Sequence, residues 1–131
     1  MEQVKVVARY MNGQLVKGYT TDFFPKKPIF HIGKDHTDPG VEVSIMELKA
    51  LFFVKDFEGN PAHVKKQDFT EGQVYQGRKA IITFLDGEKM AGTVLSYDKE
   101  RPGFFVVPAD EEGNNSRAFV SSAAVADMKF L

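Results

Sequence analysis

The strongest constraint on this chain is that it contains itself. Residues 7–32, VARYMNGQLVKGYTTDFFPKKPIFHI, align without a gap on residues 81–106, IITFLDGEKMAGTVLSYDKERPGFFV, at an offset of 74. Gly13 meets Gly87, Gly18 meets Gly92, Pro28 meets Pro102 and Phe30 meets Phe104, while Tyr10/Phe84 and Phe23/Tyr97 pair aromatic with aromatic. After a loop that differs in length by three, VSIMELKALFFV (43–54) continues against VSSAAVADMKFL (120–131). Two glycines, a proline and the aromatics sharing one register indicate an internal duplication, and a duplicated unit must fold by the same pattern twice.

That pattern is all-β. Val4, Val6, Ala8 and Tyr10 alternate with more polar neighbours, the period-two signature of a strand with one buried face. Asn12-Gly13 and Asp86-Gly87 supply the positive φ angles of tight hairpin turns. Gly18 and Gly92 lie inside the second strand of each copy, where the missing Cβ marks a bulge or bend. Pro28 and Pro102 open the third strand. A polar loop, a fourth strand, one helical turn around Ile45–Leu48 or Ala123–Val125, and a last strand complete each unit.

Five short strands with a bent second strand and a turn before the fifth make a small SH3-like barrel and most resemble its Sm-like version. The expectation is therefore two tandem barrels arising by duplication, at 1–57 and 78–131, joined by a connecting hairpin or linker at 58–77. The resemblance implies a barrel but argues against RNA binding. The Asp and Asn after strand two and the Arg-Gly before strand five, which contact nucleotides in Sm proteins, are missing; Phe24-Pro25-Lys26-Lys27 and Asp98-Lys99-Glu100-Arg101 stand in the first of those loops. The sequence is also similar to an uncharacterised bacterial family in which GRK-x-IITF-x-DGE, GFF-x-x-PAD and NN-x-R-x-FV recur, here within 77–120. That similarity implies a bacterial origin, and the family carries no assigned activity.

Composition narrows function by exclusion. Seventeen Lys and Arg against eighteen Asp and Glu give a net charge of -1, spread evenly: seven basic against six acidic residues in 1–54, and seven against eight in 78–131. No positive field favours nucleic acid or anionic lipid. Zero Cys removes disulfides, thiolate metal sites and cysteine nucleophiles. No apolar run reaches the roughly 20 residues that cross a bilayer, and the start lacks a signal-peptide core, so a cytoplasmic protein is expected.

No residue group calls for catalysis. The nucleophile elbow G-x-S-x-G and the Gly-rich phosphate loops are absent, and Asp110, Glu111 and Glu112 read as a solvated turn. His31, Asp35, His36 and Asp38 have the ligand chemistry of a divalent metal site, although a polar loop beside a strand histidine explains them more simply. The expectation is no metal and no cofactor.

Where the copies differ, a residue is freer to serve a purpose of its own. These positions are Arg101, Phe105, Asp110, Asn114, Asn115 and Arg117 in copy two, and Phe24 and Phe52 in copy one, whose counterparts are Asp98 and Lys129. Asn offers paired donors and acceptors, Arg117 can grip a carboxylate or phosphate, and rings off the core mark a contact with a neighbour. The expected function is a non-catalytic binding or regulatory module for a protein or small polar ligand, able to form a homo-oligomer. An Sm-like RNA-binding protein, and an enzyme with its site between the barrels, are the alternatives.

Overall fold

A computed structural model of the chain describes residues 4–35, 37–57, 69, 77–95, 97–98, 100–109 and 114–131. The elements are β1 (Val4–Tyr10), β2 (Leu15–Thr20), β3 (Ile29–Ile32), β4 (Val41–Ser44), a one-turn 3₁₀ helix (Ile45–Glu47) and β5 (Leu48–Val54). The same order then recurs as β6 (Arg78–Phe84), β7 (Lys89–Val94), β8 (Gly103–Pro108), β9 (Asn115–Ser121), a second 3₁₀ turn (Ser122–Ala124) and β10 (Val125–Phe130). The chain is all-β, and among the described residues no helix is long and apolar enough to cross a membrane.

The two halves share the same registers in three ladders, while the β7–β8 ladder is represented in the first half by the Tyr19–Gly33 bridge alone. Val4 opposes Thr20 and Arg9 opposes Leu15 in the first half, as Arg78 opposes Val94 and Thr83 opposes Lys89 in the second. Phe30 opposes Val43 as Phe104 opposes Val120. Even the irregularity recurs: β5 is bulged where it passes from Ala50 to Leu48 along β1, and β10 where it passes from Asp127 to Val125 along β6. Local chemistry explains the agreement. Gly13 and Gly87 turn at φ 90° and 91°, and each donates its N–H to the carbonyl three residues back, Tyr10 or Phe84. The Asn12 and Asp86 side chains accept the N–H two residues on. The carbonyls of Pro28 and Pro102 accept the N–H that opens each 3₁₀ turn, from Ile45 and Ser122.

Gly18 and Gly92 are required by close approach. A Cβ on Gly18 would lie 2.4 Å from the Gly33 carbonyl oxygen, and one on Gly92 would lie 2.5 Å from the Val106 side chain. At these points the second strand folds onto the third, so any side chain there would push the two apart.

Eight strands form one continuous sheet, β10-β6-β7-β8-β9-β5-β1-β2, and β3-β4 form a second, tied to the first by paired backbone hydrogen bonds between Tyr19 and Gly33 of 2.8 and 2.9 Å. No closed barrel forms among the described residues, in contrast to the expected pair of barrels. The halves instead fuse edge to edge, β5 pairing with β9 from Ala50 opposite Val120 to Phe53 opposite Arg117. The reason lies in the run Leu48–Phe53, buried throughout. A strand apolar on both faces must be covered on both. Ala50 and Phe52 point into one core with Ile82, Phe84, Phe104 and Val120, while Leu51 and Phe53 point into the other with Val6, Ala8, Phe30 and Phe119.

Candidate functional site

The connections after the second strands bring the two halves together at one rim. Between β2 and β3, the Lys27 N–H closes a turn on the Phe24 carbonyl at 3.0 Å; between β7 and β8, the Arg101 N–H closes the corresponding turn on Asp98 at 3.1 Å. Lys27 and Arg101 thus occupy the same place in two equivalent loops. Phe24, Pro25, Lys26, Lys27 and Arg101 line a shallow depression of about 420 Å³. Phe24 is 39% exposed, large for a ring, and the Lys27 ammonium stands 5.3 Å above its centroid. Arg101 is partly neutralised by Asp98, Nε to Oδ2 3.8 Å, and the other Asp98 oxygen accepts the Glu100 N–H. Three cations around an exposed ring and a proline suit a ligand that carries negative charge beside an apolar or planar group.

Two of the residues singled out in the sequence, Phe24 and Arg101, therefore share a site although they come from different halves. The other described ones do not line it. Phe52 is buried, at 7% exposure, in the core of the second half. Phe105 does the converse and packs against the core of the first half, 5.0 Å from Phe119, 6.0 Å from Phe53 and 6.2 Å from Phe23. The neighbour that each of these rings contacts is the other half of the same chain. Arg117 lays its guanidinium over Phe53 and Phe105, at 4.3 and 4.7 Å, closing that aromatic cluster from outside.

Asn114 is a clamp on the chain leaving β5. Its Oδ1 accepts the Asp56 N–H at 3.0 Å, its Nδ2 donates to the Asp56 carbonyl at 2.7 Å, and its own carbonyl accepts the Lys55 N–H. Asn115, half-buried opposite Val54, lines a second depression of about 420 Å³ together with Asn114 and Phe52. Asp110 lies outside the described residues, as does His36.

The remaining members of the proposed metal cluster are each occupied elsewhere. His31 Nδ1 lies 2.7 Å from Asp22 Oδ2, and the His31 N–H donates to Asp22 Oδ1 at 2.9 Å. Burial pushes the Asp22 carboxyl up, but these bonds and one from Thr20 outweigh it and hold the group below the usual carboxylate range. Asp35 accepts from Thr37 and Asp38. Asp38 accepts the N–H groups of Lys34 and Gly40, which lower its pKa. Among the described residues no group of three potential ligands converges.

Sequence reasoning passed over Lys49. It sits inside the apolar run of β5, 3% exposed, with its ammonium 2.7 Å from Asp86, 2.9 Å from Glu88 and 4.7 Å above the Phe84 ring. Its hydrogen bond, followed by that from the Glu88 N–H, holds the Asp86 carboxyl below its ordinary value. The available signal was a lysine in a strand otherwise apolar on both faces, which needs a partner to be buried. Lys26 and Lys27 were legible only as part of the loop Phe24-Pro25-Lys26-Lys27 that departs from the Sm pattern. Ser121 and Ser122 bury hydroxyls that have no hydrogen-bond partner among the described residues.

No curated protein and no solved structure matches the chain. A family model spans residues 2–131, nearly the whole sequence, so the chain belongs to DUF6982, a family of unknown function.

Proposed function

We propose that the chain is a non-catalytic binding module built from two Sm-like small-barrel units derived by duplication, each left open and fused through β5 and β9. The strand order 5-1-2-3-4 of the second unit, echoed in the first as 5-1-2 and a separate 3-4 pair bridged to it, supports the duplication together with matching registers and bulges. The binding face is the depression at Phe24 and Arg101, and its occupant is an acidic protein segment. One observation carries this reading: the two units contribute equivalent loops to one surface, where an exposed ring is surrounded by Lys26, Lys27 and Arg101. Carboxylates would engage the cations while an apolar side chain covers Phe24 and Pro25.

The same face favours RNA as the second reading, since rings beside lysines stack bases. The net charge of -1 leaves little counterion release to support it. Fluorescence anisotropy with a labelled glutamate- and aromatic-containing peptide, and with a labelled single-stranded oligonucleotide, at about 150 mM salt separates the two. The peptide is expected to bind and to lose about tenfold in affinity on Phe24→Ala or Arg101→Ala, each loss corresponding to about 1.4 kcal/mol. Sub-micromolar, competition-resistant oligonucleotide binding that falls with the same variants would install the RNA reading. Peptide binding indifferent to both variants would remove the site.

A further inference from the structure

The joint between the halves has two sides, and each side exists a second time in the molecule, where it is unpaired among the described residues. β5 is the fifth strand of its unit and β9 the fourth of its own, and they pair along their length. By the matching registers, β10 is the equivalent of β5 and β4 the equivalent of β9. Among the described residues, β10 pairs only with β6 and β4 only with β3. We infer that β4 of one chain pairs with β10 of a second copy, repeating between molecules the joint that β9 and β5 make within one.

The inner joint sets the register of the outer one. Ala50 opposite Val120, Leu51 opposite Phe119, Phe52 opposite Ala118 and Phe53 opposite Arg117 translate to Asp127 opposite Val43, Met128 opposite Glu42, Lys129 opposite Val41 and Phe130 opposite Gly40. Both edges carry apolar surface to be covered. Val41 is 54% exposed, and Met128 and Phe130 are only partly buried although they pack against the second core. Unpaired strand edges of this kind are templates for another strand.

The side chains on one face have been exchanged in a coordinated way. Inside the chain, Phe53 is covered by the guanidinium of Arg117 from the facing strand and by Phe105. At the outer edge, Phe130 corresponds to Phe53, and the position facing it is Gly40 instead of an arginine. The cation comes from the ring's own unit: Arg78 lies 3.8 Å over the Phe130 ring. Glu42, in the place of Phe119, opposes Met128, one diagonal step from Phe130 on the same face, within reach of that guanidinium. An aromatic contact is replaced by a complementary pair, Glu42 with the second copy's Arg78. On the opposite face Lys129 and Asp127 stand where Phe52 and Ala50 seal the inner joint, so the outer joint is weaker and reversible.

A joint of this kind is heterologous, each added copy presenting the same two edges, so it ends only by closing into a ring. The experiment is sedimentation velocity and native mass spectrometry of the whole chain at about 100 μM, where a contact of even micromolar Kd is occupied. The wild type is expected at one discrete multiple of 14.7 kDa, dissociating on dilution. Glu42→Arg and Arg78→Glu, both on exposed side chains, should each give single chains that still fold cooperatively, Arg78→Glu losing only its own contact over Phe130, and the double variant Glu42→Arg/Arg78→Glu should restore the assembly. A wild type that sediments as a single chain at that concentration overturns the inference. Single variants that remain assembled overturn it as well, because the contact then lies elsewhere.

Discussion

The ammonium of Lys49 and the carboxylate of Asp86 stand 2.7 Å apart across the junction of the two halves, one from a buried strand and the other from a hairpin turn. Asp86 is half exposed while Lys49 is almost completely buried, so the pair anchors a turn of one unit onto the strand shared by both. Removing the lysine takes the hydrogen-bonded cation from Asp86, leaves Glu88 with Arg9 alone at 3.5 Å, and opens a gap over Phe84. Lys49→Ala should cost about 2–3 kcal/mol, at the lower end for a broken buried pair because its partners reach water. Urea unfolding would measure it; a change below about 0.5 kcal/mol would mean that the lysine is dispensable.

The same pair gives stability a pH dependence. The Asp86 carboxyl titrates below its ordinary value in the folded chain, and Asp22 and Asp38 do likewise. A lowered folded-state pKa contributes stability that is complete above the unfolded value, about 4, and is lost as pH falls through the folded value. Melting temperature should therefore hold from neutrality to about pH 5 and decline below about pH 4. In Lys49→Met, which keeps the packing on Phe84 but not the hydrogen bond, the decline should be shallower. An acid limb identical to the wild type would place the effect at Asp22 and Asp38 alone.

Gly92→Ala inserts a methyl where 2.5 Å separates it from Val106 and 2.7 Å from the Val107 carbonyl oxygen. Backbone cannot yield as a flexible side chain can, so the substitution should destabilise by about 1–3 kcal/mol. Gly18→Ala should behave alike, since its neighbour is the Gly33 carbonyl. Chemical denaturation of the two variants side by side tests whether the bends are equivalent; a neutral result in either would refute the close approach there.

Phe104→Ala empties a site that is 3% exposed in the second core, against Tyr97 at a centroid distance of 5.3 Å. The expected loss is about 3–5 kcal/mol, a large part of the stability of a domain this size. Loss of cooperativity in the melting curve would accompany it, and a shift equivalent to less than about 1 kcal/mol would contradict the placement of Phe104 in the core.

How much of this was legible follows from the range of the interactions. Asn12-Gly13, Asp86-Gly87 and the prolines before the third strands act over a few residues, and the hairpins and 3₁₀ turns lie where those residues put them. The β5–β9 pairing was hidden because it joins residues near 50 to residues near 120, and alternation within one strand names no partner. Its trace was present in Leu51-Phe52-Phe53, apolar on both faces, and in Phe52 and Phe105, rings without counterparts in the other half. Phe52 was read as a contact with a neighbour, and the neighbour is the second half of the chain; Phe105 was singled out only because copy one has His31 in its place. At the rim, Phe24 and Arg101 could be singled out by their failure to repeat, but that they share one surface depends on how two loops 74 positions apart are carried by the sheet. Asn114 was chosen by the same rule and is a backbone clamp, because an asparagine that shapes a loop and one that binds a ligand have the same composition.

The strand shared by two cores also sets an order in time. β5 is finished at Val54, but the strand that covers its far edge is complete only at Ser121, 67 residues later (121 minus 54). At about 5–20 residues per second a ribosome takes several seconds to supply it. Throughout that interval Phe52 has no core to enter, and the first half presents an unpaired apolar edge to everything around it. Early residues therefore form an edge whose cover is supplied only by late ones.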